Sequence, residues 1–219
     1  KGKIMEKLID MKLEDYINQV DSPFPTPGGG SVMGTIGSLA CALAGMVGHL
    51  TINKNKFKEL TEEEKNNFCN AIEKIKEIKI KLIETVDKDA EAFNMFMDAI
   101  KLPKNTEEGK IIRKEAISNA AIKSTETPFN ILKYSYELIP LFDIILKYGN
   151  AGVITDIASA YILIYAASKG SLLNININTP LIKDKNFLEN IKKNSSTYIE
   201  KIERGYREIE NKLDVFRIK

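Results

Sequence analysis

The chain has 219 residues, 28% charged and 43% hydrophobic, enough for a sizeable core and far from the composition of a disordered segment. Its 32 basic residues stand against 30 acidic ones, a formal net charge of +2, which argues against a dedicated nucleic-acid binder with a clustered basic excess. A single histidine, His49, and two cysteines, Cys41 and Cys69, show no ligand spacing, so a metal site and a disulfide framework are not expected and a reducing cytoplasm is.

Residues 1–4 precede Met5 and are set aside as a cloning remnant; the expected domain covers 5–219, with no secretory signal ahead of it. Leu8–Val20 reads as a short amphipathic helix, and the prolines and glycines of Asp21–Ser31 as irregular backbone. Ser31 or a glycine before it is expected to cap a helix running to about Asn53. Within that helix Val32–Leu50 is uncharged and about the ~18–20 residues a membrane span needs, but its glycines fit a buried central helix better.

Thr61 and Glu64 have capping-box spacing and open a periodic stretch that ends at Leu102-Pro103. Asn105 and Glu108 repeat the spacing and start a second long helix, in which Pro128 and Pro140 are expected to cause a kink or a break. Gly149 suits a left-handed C-cap. A helix follows over Ile154–Lys169, Leu172–Ile177 is helix or extended connection, and Asp184 caps a last helix to about Asp214. The fold class expected is all-α, an up-and-down bundle of long antiparallel helices in a single domain.

Three constellations stand out. Pro27-Gly28-Gly29-Gly30-Ser31 leads into a ridge of small residues, Gly34, Gly37, Cys41, Gly45 and Gly48, which admits a close helix or a flat ligand. It is no Walker A loop, since no Gly-Lys-Ser/Thr follows. Asp89 falls on the apolar stripe Leu82, Val86, Phe93, Phe96, Ile100, while Asp87 points away and flanks the core. A carboxylate on such a face must be paired, hydrogen-bonded or shifted to higher pKa, so a tie to another helix and acid–base catalysis fit Asp89 equally well. Asn150, Thr155 and Asp156 sit at a helix junction, where capping is the simplest account.

Together, PTPGGGSV (25–32), VDKDAEAF (86–93), LPKNTEE (102–108), GN with the following TD (149–156) and NININ (174–178) resemble the formimidoyltetrahydrofolate cyclodeaminase / methenyltetrahydrofolate cyclohydrolase family. The pieces occur in the family's order and spread over about 150 residues of the chain. The resemblance implies an all-helical, cytoplasmic homodimer with a folate pocket near the subunit contact, a tetrahydrofolate derivative as substrate, and no metal or other cofactor. It implies that Asp89 is the essential catalytic aspartate, and that Pro27, Gly28, Gly29, Gly30, Ser31, Lys104, Asn150 and Asp156 surround the substrate. The activity implied is closure of 5-formimidoyltetrahydrofolate to the 5,10-methenyl compound with loss of ammonia, or hydrolysis of that compound to 10-formyltetrahydrofolate. A helical binding or dimerisation module without turnover is the reading from another class. Neither a nucleic acid nor a membrane is an expected partner.

Overall fold

Seven α-helices and three short 3₁₀ turns, with no strand, make up the secondary structure of residues 7–213, the part of the chain that this computed structural model describes. The proposed remnant at 1–4 and the expected helix end at Asp214 lie outside the described residues. The helices are α1 (Leu13–Val20), α2 (Gly29–Ile52), α3 (Asn55–Lys58), α4 (Glu62–Lys101), α5 (Glu107–Tyr148), α6 (Ile154–Asn178) and α7 (Lys185–Lys212). Helices α2, α4, α5 and α6 pack on one another as an antiparallel four-helix core, and α7 lies across α5 and α6.

Local chemistry explains most boundaries. Thr61 and Glu64 form the complete capping box: the Thr61 hydroxyl accepts from the Glu64 amide and the Glu64 carboxylate accepts from the Thr61 amide. At α5 the cap is Thr106, one residue beyond Asn105, because the Thr106 hydroxyl takes the Gly109 amide at 3.0 Å. Gly109 has no side chain to answer it, so that cap is one-sided. Asp184 caps α7 through the Phe187 amide, as its position predicts.

Four further expectations are corrected. Residues 8–20 form a 3₁₀ turn at Leu8–Asp10 and a separate helix α1 from Leu13. Helix α5 runs through Pro128 and Pro140 without a break. Gly149 leaves α5 in an extended conformation (φ −68°, ψ 163°); its missing Cβ serves the close approach of the Ile145 carbonyl. Helix α6 runs past the expected end at Lys169 to Asn178, so the 172–177 segment takes the helical one of its two expected forms, with Ile175 buried one turn after the buried Ser171.

The small-residue ridge of α2 faces α4. A Cβ on Gly34 would strike the Thr85 hydroxyl and come 3.3 Å from the Leu82 carbonyl, while one on Gly37 would meet the Leu82 methyls at 3.3 Å. Gly45 is the exception, with open space beside it; Ala44, fully buried, takes the place in the ridge that spacing had given it. We therefore expect Gly34→Ala to cost about 1–3 kcal/mol by overpacking. Gly45→Ala should add about 0.5–1 kcal/mol through helix propensity. Urea unfolding of the two variants checks the contrast.

Candidate active site

The glycine turn, the middle of α4 and the C-terminal end of α6 meet around a cavity of about 360 Å³. Asp89 lies at its edge. The Ser31 amide, one of the first donors of α2 without an intrahelical acceptor, donates to Asp89 Oδ2 at 3.0 Å. The Ser31 hydroxyl is 3.4 Å from the same oxygen, but its single proton has a nearer acceptor in the Val86 carbonyl at 2.7 Å. Asp89 thus caps α2 from a different helix. No basic side chain pairs with it among the described residues.

Burial dominates the electrostatics of that carboxyl and pushes its pKa up; the Ser31 amide and hydroxyl pull it part of the way back. Oδ2 is held by Ser31, whereas Oδ1 turns toward Gly30, where it would be the nearest atom to a Cβ. An anchored carboxyl that retains its proton to higher pH than an ordinary aspartate is suited to proton transfer at the cavity wall.

The opposite walls are aromatic and amide. Phe93 and Phe96, one and two turns beyond Asp89 on α4, line the cavity and provide flat apolar surfaces. Asn174 and Asn178 line it from α6, their side-chain NH₂ groups donating to the Gly170 carbonyl at 2.9 Å and to the Ser124 carbonyl at 3.1 Å. These bonds fix the amide planes and leave the side-chain oxygens as acceptors. Gly29 lets Asn174 approach, since a Cβ there would stand 3.3 Å from its amide nitrogen.

The structure brings together only part of the predicted set. Gly28, Gly29, Gly30 and Asp89 line the cavity; Pro27 and Ser31 are buried behind it and support the turn. Lys104 lies outside, in a neighbouring basic groove. Asn150 and Asp156 sit at the far end of the bundle. The Asn150 amide donates to Thr51 Oγ1 at 2.9 Å, and Thr51 is 20 residues along α2 from Ser31, about 30 Å at the helical rise. Asn150 caps the short turn before α6 by accepting from the Gly152 amide, so within one chain its capping role is the observed one. Asp87 also has a structural task, accepting the Leu8 amide at 2.6 Å and tying the N-terminal turn to α4.

Sequence reasoning missed Asn174 and Asn178 as cavity residues. The signal was their spacing of four, one helical turn, within a stretch whose alternation imitates a strand. It also left Phe93 and Phe96 in the core stripe, although both are only half-buried where they meet the cavity.

The chain is similar to known proteins over most of its length. Residues 12–197 match the family model described as formiminotransferase-cyclodeaminase. A methenyltetrahydrofolate cyclohydrolase from Methylorubrum extorquens is 33% identical over 177 residues, covering 81% of this chain and 83% of that protein. The formimidoyltransferase-cyclodeaminase of Mus musculus is 29% identical over 184 residues, 84% of this chain but 33% of the mouse protein, so the match spans about a third of that relative. The solved structure of formiminotetrahydrofolate cyclodeaminase from Thermotoga maritima superposes with a TM-score of 0.83 at 26% identity, covering 96% of this chain and 99% of that one.

Proposed function

The chain belongs to the formiminotransferase-cyclodeaminase family, and from that premise we propose that it cyclises 5-formimidoyltetrahydrofolate to 5,10-methenyltetrahydrofolate with release of ammonia. The observation that carries the reading is Asp89, a carboxyl shifted toward its protonated form, anchored by Ser31 and facing a cavity with aromatic walls. N10 of the folate attacks the formimidoyl carbon, and Asp89 relays the N10 proton to the imino nitrogen. A second proton delivered to that nitrogen makes it a leaving group, ammonia departs, and the remaining nitrogens share the methenyl cation. Substrate plus one proton gives methenyl cation plus ammonia, so atoms and charge balance. Phe93 or Phe96 offers a stacking surface for the pterin, and Asn174 and Asn178 offer acceptors for its ring N–H groups. The reaction as proposed draws on no metal or redox cofactor; the tetrahydrofolate derivative is itself the substrate.

The cyclohydrolase reaction is the second reading, favoured by the 33% identity to the Methylorubrum protein. There water adds to the methenyl carbon, the bond to N5 breaks, and 10-formyltetrahydrofolate forms with release of one proton. Incubating the protein with each folate and following the methenyl chromophore separates the readings: growth from the formimidoyl compound supports the first, decay of the methenyl compound the second. Folate binding with turnover of neither would leave a non-catalytic module.

The active form we propose is a cytoplasmic homodimer joined through α1, α2 and α6. No Asp, Glu, Lys or Arg occurs in α2, and its outward residues Val32, Thr35, Leu39, Ala42, Met46 and His49 recur in steps of three and four. Leu13, Ile17 and Phe24 extend this apolar surface on one side, and Ile162, Leu173 and Ile177 of the adjacent α6 on the other; Leu173 and Ile177 are 71% and 73% exposed. Gly29–Ile52 and Ala151–Leu181 are long and apolar enough to cross a membrane, yet their inner faces build the bundle core. A second copy accounts for the outer faces, and recovery of the protein without detergent tests that choice. Ile177 also lines the Asp89 cavity, which places the cavity at the edge of this surface.

A two-fold axis across α2 and α6 sets the Asn150–Asp156 end of one subunit against the Asp89 end of the other, giving the remote residues a place at the site. Asp89→Asn and Asp156→Asn proteins are each expected to be inactive alone. Co-expressed, they should recover about a quarter of the activity, because half of the dimers are mixed and each of those holds one intact site. No recovery in mixed dimers of verified composition would reject the shared site.

A further inference from the structure

Between α2 and α4, toward the His49 end of α2, lies a depression of about 470 Å³. Gly45, Met46 and Leu50 line it from one side and Ile72, Lys76 and Lys79 from the other. A Cβ at Gly45 would meet no atom within 4 Å, so here the ridge of α2 has no packing partner in its own subunit. Lys76 pairs with the exposed Glu73, and Lys79 has no ion pair among the described residues.

Helix α1 occupies the other half of the same groove. Tyr16 is buried there, its hydroxyl bonded to Thr35 Oγ1 of α2 at 3.2 Å, and the Leu8 amide just before α1 donates to Asp87 of α4. The opposite face of α1 is open: Leu13 and Ile17, one turn apart, are 70% and 56% exposed. The helix carries Glu14 and Asp15 in its first turn and no basic residue. Thr35 and Met46 are 11 residues apart, about 16 Å at the helical rise, so α1 does not reach the depression of its own subunit.

The outward residues of α2 give the register of a second copy. Their steps of three and four from Val32 to His49 read the same in both directions. An antiparallel copy therefore pairs Val32 with His49, Thr35 with Met46 and Leu39 with Ala42. A two-fold axis in the interface at right angles to α2 keeps α4 on the same side in both copies. The α1 of one copy, fixed at Thr35, thus arrives over Met46 of the other, on the α4 side. We infer that the depression at Gly45 receives α1 of a second copy, with Leu13 and Ile17 against Gly45, Met46 and Leu50 and the carboxylates of Glu14 and Asp15 against Lys76 and Lys79. The contact is reciprocal, and the inference rests on the homodimer read from α2. It ties assembly to the site, because Thr35 Oγ1 also lies 3.1 Å from the Ser31 carbonyl. The helix that the second copy clamps is the one that braces the Asp89 anchor.

Sedimentation equilibrium and cross-linking of the full chain test the contact. Gly45→Leu fills the depression from within a subunit that has room for it. Its helix content should be kept while the dimer dissociation constant rises at least about tenfold. A chain carrying Ile17→Cys, mixed with one carrying Met46→Cys and both with Cys69→Ser, should form a covalent dimer with a short bis-maleimide. The cross-link reads the same contact should Gly45→Leu lose its fold. An unchanged dissociation constant in folded Gly45→Leu, or an intact dimer without the Ile17–Met46 cross-link, would overturn the docking of α1 and leave the dimer through α2. A monomeric unaltered chain would remove the dimer itself, and the docking with it.

Discussion

Replacing Asp89 with asparagine is expected to lower turnover by about two to four orders of magnitude, the range for loss of a positioned acid–base group, while the helical fold is kept. Asparagine preserves the shape and can still accept the Ser31 amide bond, so the variant removes the proton and little else. The effect on stability has a definite sign. Burial raises the folded-state pKa of Asp89 above the ordinary value of 3.8, so the folded protein holds this proton at pH values where the unfolded chain has released it. The stability tied to that proton is fully present below 3.8 and is lost as pH rises through the raised folded value. Asp89→Asn should therefore match or exceed the unaltered protein in Tm at neutral pH, with the advantage vanishing in acid. Thermal melts across pH, paired with turnover by methenyl absorbance, check both halves. Full turnover in a folded Asp89→Asn protein would end the catalytic assignment.

The parts of this fold that were legible in the sequence are those set by neighbouring residues. The Thr61–Glu64 box needs only four residues and appears as expected. The cap at Thr106 is displaced by one because Asn105 and Thr106 are both competent caps and the Gly109 amide selects the hydroxyl. The 172–177 segment was legible only as helix or extended connection. Its alternation favours a strand locally, but no partner strand exists among the described residues and packing on α2 and α5 continues the helix. Asp89 was legible as an anomaly because a charge on an apolar stripe demands an explanation at any fold. The basic groove was not, since Lys183 joins Lys104–Lys114 only when the α6–α7 link folds against α5. The separation of Asn150 and Asp156 from Asp89 was equally hidden, because nearness in motif order carries no information about opposite ends of a helix.

Gly30→Ala is expected to reduce turnover by about two orders of magnitude, the loss that accompanies a ~1 Å displacement of a reacting group. A triple-glycine turn invites the explanation that the backbone needs left-handed conformations, yet no glycine among the described residues has positive φ. Gly30 lies in the first turn of α2, where alanine suits the backbone better by about 0.5–1 kcal/mol. What forbids alanine is the Asp89 carboxyl, which occupies the space a Cβ would take, with Oδ1 nearest. The carboxyl can swing aside, since it ends a short flexible side chain, but doing so withdraws Oδ2 from the Ser31 amide and Oδ1 from the cavity edge. Gly30→Ala should consequently melt within a degree or two of the unaltered protein and yet lose most of its activity. A loss of stability comparable to Gly34→Ala would instead assign Gly30 to helix packing, and full turnover would show that Asp89 works from a displaced position. The glycines at this turn make room first for the protein's own carboxylate, and the ligand meets the surface that this carboxylate completes.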